Sequence, residues 1–342
     1  IALAEAFVEQ QTNGEVLFVG TRQGLEKTLL PKLGYDVAFV RASRVKGAGL
    51  WARLRSIARL PLGVWDAWKI LSQFRPQLVV SVGGYAAAPT VIASWLRRIP
   101  IVTVEPNAIP GLTNRVLGKL AKRVLLAHEQ ALSWFRRSKS RVVGVPLRKD
   151  LVARLTAASE NVTRALDTKP HVFVFGGSQG ARFLNEQVPA VLQGLDVTVL
   201  HQTGVHDYDA VCARYEALGM EVDVRVYVDD MAEAYAKADL AITRSGASTV
   251  AELALTGTPA ILVPLPYAAD DHQSANARML SNVDGGILIQ QSGWKTADVH
   301  HWLSATLMNR ERLEDMAVNA RSVAHPAAAT DAMAICLKLI AR

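Results

Sequence analysis

Residues 244–252, Arg-Ser-Gly-Ala-Ser-Thr-Val-Ala-Glu, follow the apolar run 238–242. This predicts a buried strand ending at Thr243, a tight turn of small residues and a helix start. Such a turn exposes backbone N–H groups at the positive end of a helix dipole, which is a site for phosphate. Ser245, Ser248 and Thr249 are suitable N-caps. Glu252 lies in the first turn or two, where a carboxylate can hold a ribose diol. The chemistry implied is a nucleotide-diphosphate pocket.

Further segments of the same kind occur along the chain. Gly-Gly-Ser-Gln-Gly-Ala-Arg, 176–182, follows the run His-Val-Phe-Val-Phe and opens a helix. Gly176 and Gly177 permit a tight turn, Ser178 can cap or bind phosphate, and an ordinary strand–helix turn is the bland alternative. The spacing is neither a dinucleotide fingerprint nor a P-loop, since no Gly-Lys-Ser/Thr follows. Val-Ser-Val-Gly-Gly-Tyr, 80–85, reads equally as function or as turn chemistry. In the loop 105–115, Glu105 could act as a base or bind a sugar hydroxyl, and Asn107 could bind hydroxyls or an acetamido group. Thr113 or Asn114 as a helix cap is the alternative there. Asp270, Asp271, His272 and Gln273 form a hydroxyl-binding set after the run 260–264, or a solvated loop. No other His or Cys stands at ligand spacing to His272, which argues against zinc. Asp207-Tyr208-Asp209 mimics a metal-binding D-x-D but precedes a helix, where acids favour the N-terminus.

These segments need a scaffold. Twelve short apolar runs, near 16–20, 37–40, 78–82, 100–104, 123–127, 141–144, 171–175, 197–201, 222–227, 239–243, 260–264 and 286–290, alternate with helical stretches. Most are β-branched and bounded by Gly or Pro, as buried parallel strands require. The fold class expected is α/β, with two doubly wound parallel-sheet domains meeting near Gly144-Val145-Pro146 and the ligand site in the cleft between them. A last helix, about 328–341, follows His325-Pro326 and could pack on either domain.

The 342 residues suffice for two cores, and half of them are apolar. No apolar run reaches the length of a membrane span. Two cysteines exclude a disulfide framework and fit a reducing, cytoplasmic compartment. The first residue is Ile1 and a helix precedes any strand, so a segment upstream is expected. Residues 1–148 carry 22 Lys/Arg against 8 Asp/Glu, whereas 149–342 carry 16 against 23. A basic half points to a polyanion or an anionic membrane surface. Within 41–65 there are six basic residues and no acid. Leu50, Trp51 and Leu54 share a helical face flanked by Arg53 and Arg55, the composition of an interfacial helix drawn to anionic lipid. Packing of that face on the core is the competing reading. No nucleic-acid-binding module is present.

Taken together in order, GGYAAAP, PNAIPGLTNR, GVPLR, GGSQGAR, RSGASTVAEL and DHQSANA resemble the MurG family, bacterial transferases that add N-acetylglucosamine to lipid-linked muramyl-pentapeptide. The resemblance spans essentially the whole chain. It implies the GT-B fold, two facing Rossmann-like domains with a deep cleft: an acceptor and membrane-associating domain at 1–147, rejoined by the helix 326–342, and a donor domain at 148–325. It implies that Ser178 and the turn Ala247, Ser248, Thr249, Val250 and Ala251 face the diphosphate of UDP-N-acetylglucosamine. Glu252 would then hold the ribose, Val228 would read uracil through its backbone, and Gln273 with His272 would bind the sugar. Asn107 would reach the donor sugar and Arg148 would lie beside the nucleotide. The reaction implied is an inverting transfer at the cytoplasmic face of the membrane, with no cofactor and no metal, because helix N-termini can stabilise the leaving diphosphate.

Two departures stand out. The family's first Gly-rich loop, GGTGGH, with a His proposed as base, is absent, which leaves Glu105 as the candidate within this chain. The usual Glu-Gln-Asn is here Glu105-Pro106-Asn107. The alternatives are a related UDP-sugar lipid glycosyltransferase, a 2-epimerase, or a non-catalytic membrane-associated scaffold.

Overall fold

Each of the twelve apolar runs forms a strand: β1 (Leu17–Gly20), β2 (Asp36–Phe39), β3 (Val79–Ser81), β4 (Ile101–Glu105), β5 (Arg123–Leu126), β6 (Ser140–Val142), β7 (His171–Phe175), β8 (Thr198–Gln202), β9 (Asp223–Arg225), β10 (Leu240–Thr243), β11 (Ala260–Leu262) and β12 (Gly286–Leu288). The computed structural model describes residues 1–23, 26–42, 50–84, 86–160, 169–177, 180–266 and 269–341, with the side chains of 50–59, 158–160 and 269 outside the description. The chain divides into two units, 1–148 with 327–342, and 149–326.

In the second unit six parallel strands run in the order β12-β11-β10-β7-β8-β9. The chain leaves β7 in one direction through β8 and β9, then returns to the other side of β7 with β10. The order therefore reverses between β7 and β10, whose ends are level because Thr243 pairs with Phe175. Both strands are buried on each face, so their central residues are apolar; Val172, Phe173, Val174, Leu240, Ala241 and Ile242 are fully buried. Helix Arg182–Leu192 turns Leu184, Val188 and Val191 onto the sheet at the i, i+4, i+7 spacing of one helical face.

A polar chain crosses this core. His201 on β8 is fully buried, with Nδ1 2.9 Å from the Tyr215 hydroxyl and Nε2 3.1 Å from Asn185 Oδ1. Asn185 in turn donates to Asp207 Oδ2 at 2.9 Å. Asp207 sits at the N-cap position of helix Tyr208–Ala217, but its carboxylate is held by Asn185 instead of capping the helix.

In the first unit β3-β4-β5-β6 form a four-stranded parallel sheet, and β1 pairs with β2 in a separate parallel pair. The expectation of one sheet is met only in part: Val19 of β1 and Val79 of β3 pack against a common cluster with Ala67, Leu71 and Ala93, without pairing to each other. The terminal helix Ala328–Ile340 packs with helix Ala2–Gln10 over β4 and β5, burying Ala6, Val102, Val104, Ala332 and Met333. Helix Leu50–Phe74 passes so close to Arg41 that a Cβ on Gly63 would lie 2.3 Å from the Arg41 carbonyl oxygen. Among the described residues no helix is long and apolar enough to cross a membrane.

Burial pushes the His201 ring down to about 3, so the folded chain keeps it neutral. The unfolded chain takes up that proton near pH 6.5, and stability present above pH 6.5 is lost as pH falls toward 3. Between pH 7 and 5 the loss from this group is about 2 kcal/mol. Urea unfolding at pH 5, 6 and 7 should show this slope in the native chain and a flatter one in His201→Gln. Parallel slopes would sink the assignment.

Candidate functional site

The turns after β7 and β10 leave neighbouring strand ends at the point where strand order reverses, the place where ligands of such sheets bind. After β10, helix Ala247–Thr256 begins with Gly246 as its N-cap and has no side-chain cap hydrogen bond. Ser245 is fully buried before the helix starts, so the cap predicted for Ser245, Ser248 or Thr249 is not made. The Val250 N–H donates to the Gly246 carbonyl at 3.0 Å, and the Val250 side chain lies in the core. Ala251, one residue further into the helix, is likewise past the open turn. The N–H groups that precede the first intrahelical bond belong to Ala247, Ser248 and Thr249.

After β7, Gly177 and Gly180 adopt φ of +85° and +72°. The Gly180 N–H closes the turn onto the Gly177 carbonyl at 3.0 Å. A Cβ on Gly180 would lie 1.8 Å from the Thr203 carbonyl oxygen, and one on Gly176 would lie 2.3 Å from the Ala181 Cβ. Gly180 is required by backbone contact as well as by backbone angle, Gly176 by contact and Gly177 by angle. Ser178 lies outside the described residues.

Gln202, at the end of β8, joins this turn to the next segment. Its Nε2 donates to the Gly177 carbonyl at 2.9 Å, and its Oε1 accepts from the Val228 N–H at 3.0 Å. Val228, expected to read a base through its backbone, is therefore fixed relative to the glycine turn. The sequence marks Gln202 only by the absence of an acid there.

Glu252 is partly buried, and its Oε2 accepts from the Tyr235 hydroxyl at 3.0 Å. Burial pushes its carboxyl up to about 7, against the opposing pull of the Tyr235 hydrogen bond. Arg244, at the start of the turn, is a second residue whose place in the site its neighbours in sequence do not mark. Its Nη1 donates at 3.0 Å to the Val263 and Pro264 carbonyls and to Gln291 Oε1. Burial lowers its guanidinium to about 10, so it stays cationic at neutral pH. These partners are all neutral.

Beyond β11, Asp270 and Asp271 take φ of +58° and +52° and lead into helix His272–Ser281. Consecutive left-handed residues of this kind are costly and over-determined by their surroundings. Gln273 Oε1 accepts from the Leu265 N–H at 2.9 Å, which leaves its NH2 group as a donor, and His272 is half-buried beside it.

In the first unit, Glu105 closes β4 and organises the loop that follows. Oε1 accepts from the Asn107 N–H (2.9 Å) and Nδ2 (3.1 Å), and Oε2 from the Gly111 N–H (3.0 Å) and Asn114 Nδ2 (2.9 Å). Asn114 also donates to the Val104 carbonyl, so it is a core tie and Gly111 is the helix N-cap. It packs beneath the Gly83-Gly84 turn, where a Cβ on Gly83 would stand 2.7 Å from Asn114 Oδ1. Arg148 is exposed and pairs with Glu5 at 3.1 Å. Leu50, Trp51, Arg53, Leu54 and Arg55 lie in the first turns of helix Leu50–Phe74, and their side chains are outside the described residues.

The chain is similar to known proteins. Residues 1–126 match the glycosyltransferase family 28 N-terminal domain and residues 171–332 match its C-terminal domain. The chain is 36% identical to a UDP-N-acetylglucosamine:N-acetylmuramyl-(pentapeptide) pyrophosphoryl-undecaprenol N-acetylglucosamine transferase of Myxococcus xanthus, over 99% of this chain and 89% of that protein. It is 41% identical to the protein of the same name from Geobacter sulfurreducens, over 84% of this chain and 80% of that one. The crystal structure of Acinetobacter baumannii MurG superposes with a TM-score of 0.82 at 32% identity, covering 98% of this chain and 94% of that one. A Neisseria meningitidis UDP-GlcNAc 2-epimerase shares the fold alone, at 11% identity and a TM-score of 0.69 over 98% of this chain and 95% of that one.

The two glycines of the β7 turn separate backbone angle from backbone contact. Gly177→Ala meets nothing within 4 Å and carries only the left-handed penalty, about 1–2 kcal/mol. Gly180→Ala also drives its methyl into Thr203. Thermal melts should show a clearly larger loss for Gly180→Ala, with UDP binding abolished. Equal losses would refute the contact as the constraint.

Proposed function

Because the chain belongs to the MurG family of glycosyltransferase family 28, we propose that it transfers N-acetylglucosamine from UDP-N-acetylglucosamine to the 4-hydroxyl of a lipid-linked N-acetylmuramyl-pentapeptide, the step from lipid I to lipid II in peptidoglycan synthesis. The observation that carries the donor side is the pair of open turns at the strand reversal, one ending in an uncapped helix and the other built from glycines. A diphosphate suits the N–H groups of Ala247, Ser248 and Thr249, with Arg244 adding a full positive charge and Ser178 facing from the other turn. Glu252 takes the ribose hydroxyls, the Val228 segment the uracil, and Gln273 with His272 the sugar. Val250 and Ala251 shape the turn without contributing donors. Arg148 and Asn107 are the first-unit groups assigned to the nucleotide and the donor sugar.

In the reaction the muramyl 4-hydroxyl oxygen attacks the anomeric carbon from the face opposite the diphosphate. The anomeric C–O bond to the β-phosphate breaks with its electron pair, and UDP leaves. The hydroxyl proton passes to a base, and the anomeric configuration inverts. The helix N-terminus and Arg244 stabilise the charge growing on the diphosphate. With four donors on its two oxygens, Glu105 is assigned to holding the loop and presenting Asn107, not to proton transfer.

The acceptor's lipid places the enzyme at the cytoplasmic face of a membrane as a peripheral protein. Support comes from the basic first half and from Leu62, Trp65, Trp95 and Leu96, which are exposed on two helices of the first unit. Lys69 lies over the Trp65 ring at 5.4 Å. Sedimentation with vesicles containing phosphatidylglycerol should fall severalfold for Trp65→Ser combined with Trp95→Ser, and unchanged binding would remove this face from the proposal.

Activity is tested by UDP release from UDP-N-acetylglucosamine in the presence of a lipid-linked muramyl-pentapeptide analogue, with the full-length protein. No acceptor-dependent release would refute the transferase. The ionised Glu252 carboxylate is the stronger acceptor for the ribose hydroxyls, so donor KM should rise as pH drops below about 7. Glu252→Gln should raise donor KM about tenfold or more and flatten that limb.

A further inference from the structure

We propose that Tyr235 is a positioning residue for nucleotide binding: its hydroxyl fixes one oxygen of the Glu252 carboxylate and so aims the other at a ribose diol. The inference rests on the donor-site reading above and adds to it a residue that touches no substrate. Tyr235 lies on the short helix Met231–Lys237, seven residues beyond Val228, and is 1% exposed. That helix is anchored by Asp230, whose carboxylate accepts from the Glu233 N–H at 2.9 Å.

The ring has a rigid seat. Phe173 and Phe175 of β7 stack at 4.4 Å, and Tyr235 meets both edge-on, at 5.8 Å and interplanar angles of 84° and 86°. Aromatic pairs in this geometry are stabilised by the ring quadrupoles and resist tilting. Phe175 is the residue immediately before Gly176. The strand that ends in the phosphate turn is thus also the floor of the ring that holds the ribose carboxylate. Distance between the two subsites is set through these two aromatic contacts.

The hydroxyl separates positioning from packing. A Phe would fill the same socket, so shape alone requires no oxygen at this place. A buried tyrosine hydroxyl needs a partner, and Glu252 Oε2 at 3.0 Å supplies it. Tyr235 is also the titratable group that acts on the Glu252 carboxyl, favouring its charged form against burial. Removing the hydroxyl should loosen the carboxylate and make it harder to ionise.

Calorimetric titration of the native chain, Tyr235→Phe, Glu252→Gln and the double variant with UDP and with 2′-deoxy-UDP tests this. Tyr235→Phe should weaken UDP about five- to tenfold at pH 7.5. The loss should be smaller for 2′-deoxy-UDP, which offers one hydroxyl fewer, and should shrink at pH 9, where the carboxyl is ionised in either protein. Added to Glu252→Gln, it should have no further effect. In turnover, donor KM should rise with kcat retained. Equal weakening of both nucleotides, independent of pH and persisting in the double variant, would assign Tyr235 to packing and overturn the inference. If Glu252→Gln itself fails to discriminate the two nucleotides, the ribose role of Glu252 is what falls.

Discussion

The pairing of β10 beside β7, with Thr243 opposite Phe175, is the constraint from which the donor side follows. It brings two strand ends to the same level at the place where chain order reverses, so the turns that leave them cannot block each other. Each turn then meets a separate demand. The β7 turn must pass under the Thr203 carbonyl, which only glycine allows at position 180. The β10 turn must enter a helix without closing it, and Gly246 does this by having no side chain to offer. Neighbouring strands complete the set in spatial order: Gln202 from β8 on one side, and the loop reaching Gln273 beyond β11 on the other.

Much of this scaffold can be read from residue order. Runs such as 172–175 and 240–242 are wholly apolar because both faces of the sheet are covered, whereas a strand with one wet face would alternate. The glycines at 83, 84, 177 and 180 announce left-handed turns, and all four have positive φ. What could not be read depends on partners distant in sequence. Gln202 matters through residues about 25 positions away on either side, and its immediate neighbours do not reveal them. Arg244 looks like an ordinary polar residue after a strand until the carbonyls of 263 and 264 are seen around it. Glu105 could be taken for a base because carboxylates near a loop often are. Its four donors come from residues two to nine positions later, gathered only once the loop is folded.

Competition between equally good local signals accounts for the rest. Three hydroxyl residues around 245–249 could each cap a helix, and the structure uses none of them. Burial of Ser245 decided the matter, since the buried segment continues past the end of β10 before turning. In the first unit the runs at 17–20 and 79–81 carry the same apolar pattern, but pattern does not specify which strand lies beside which, and β1 takes β2 alone.

The uncapped helix after Gly246 has a consequence for the protein when it is idle. A helix closed by serine carries its own satisfaction for the first-turn donors; here no side chain at the N-cap supplies it. On the function proposed, nucleotide finishes the protein's secondary structure as well as occupying its site. Any species bearing the diphosphate does so, product as well as donor. Ligand that binds only the folded chain stabilises it by mass action. The lifetime of the second unit in the cell is then tied to the nucleotide pool, and a cell short of sugar nucleotide holds this enzyme in its least durable form.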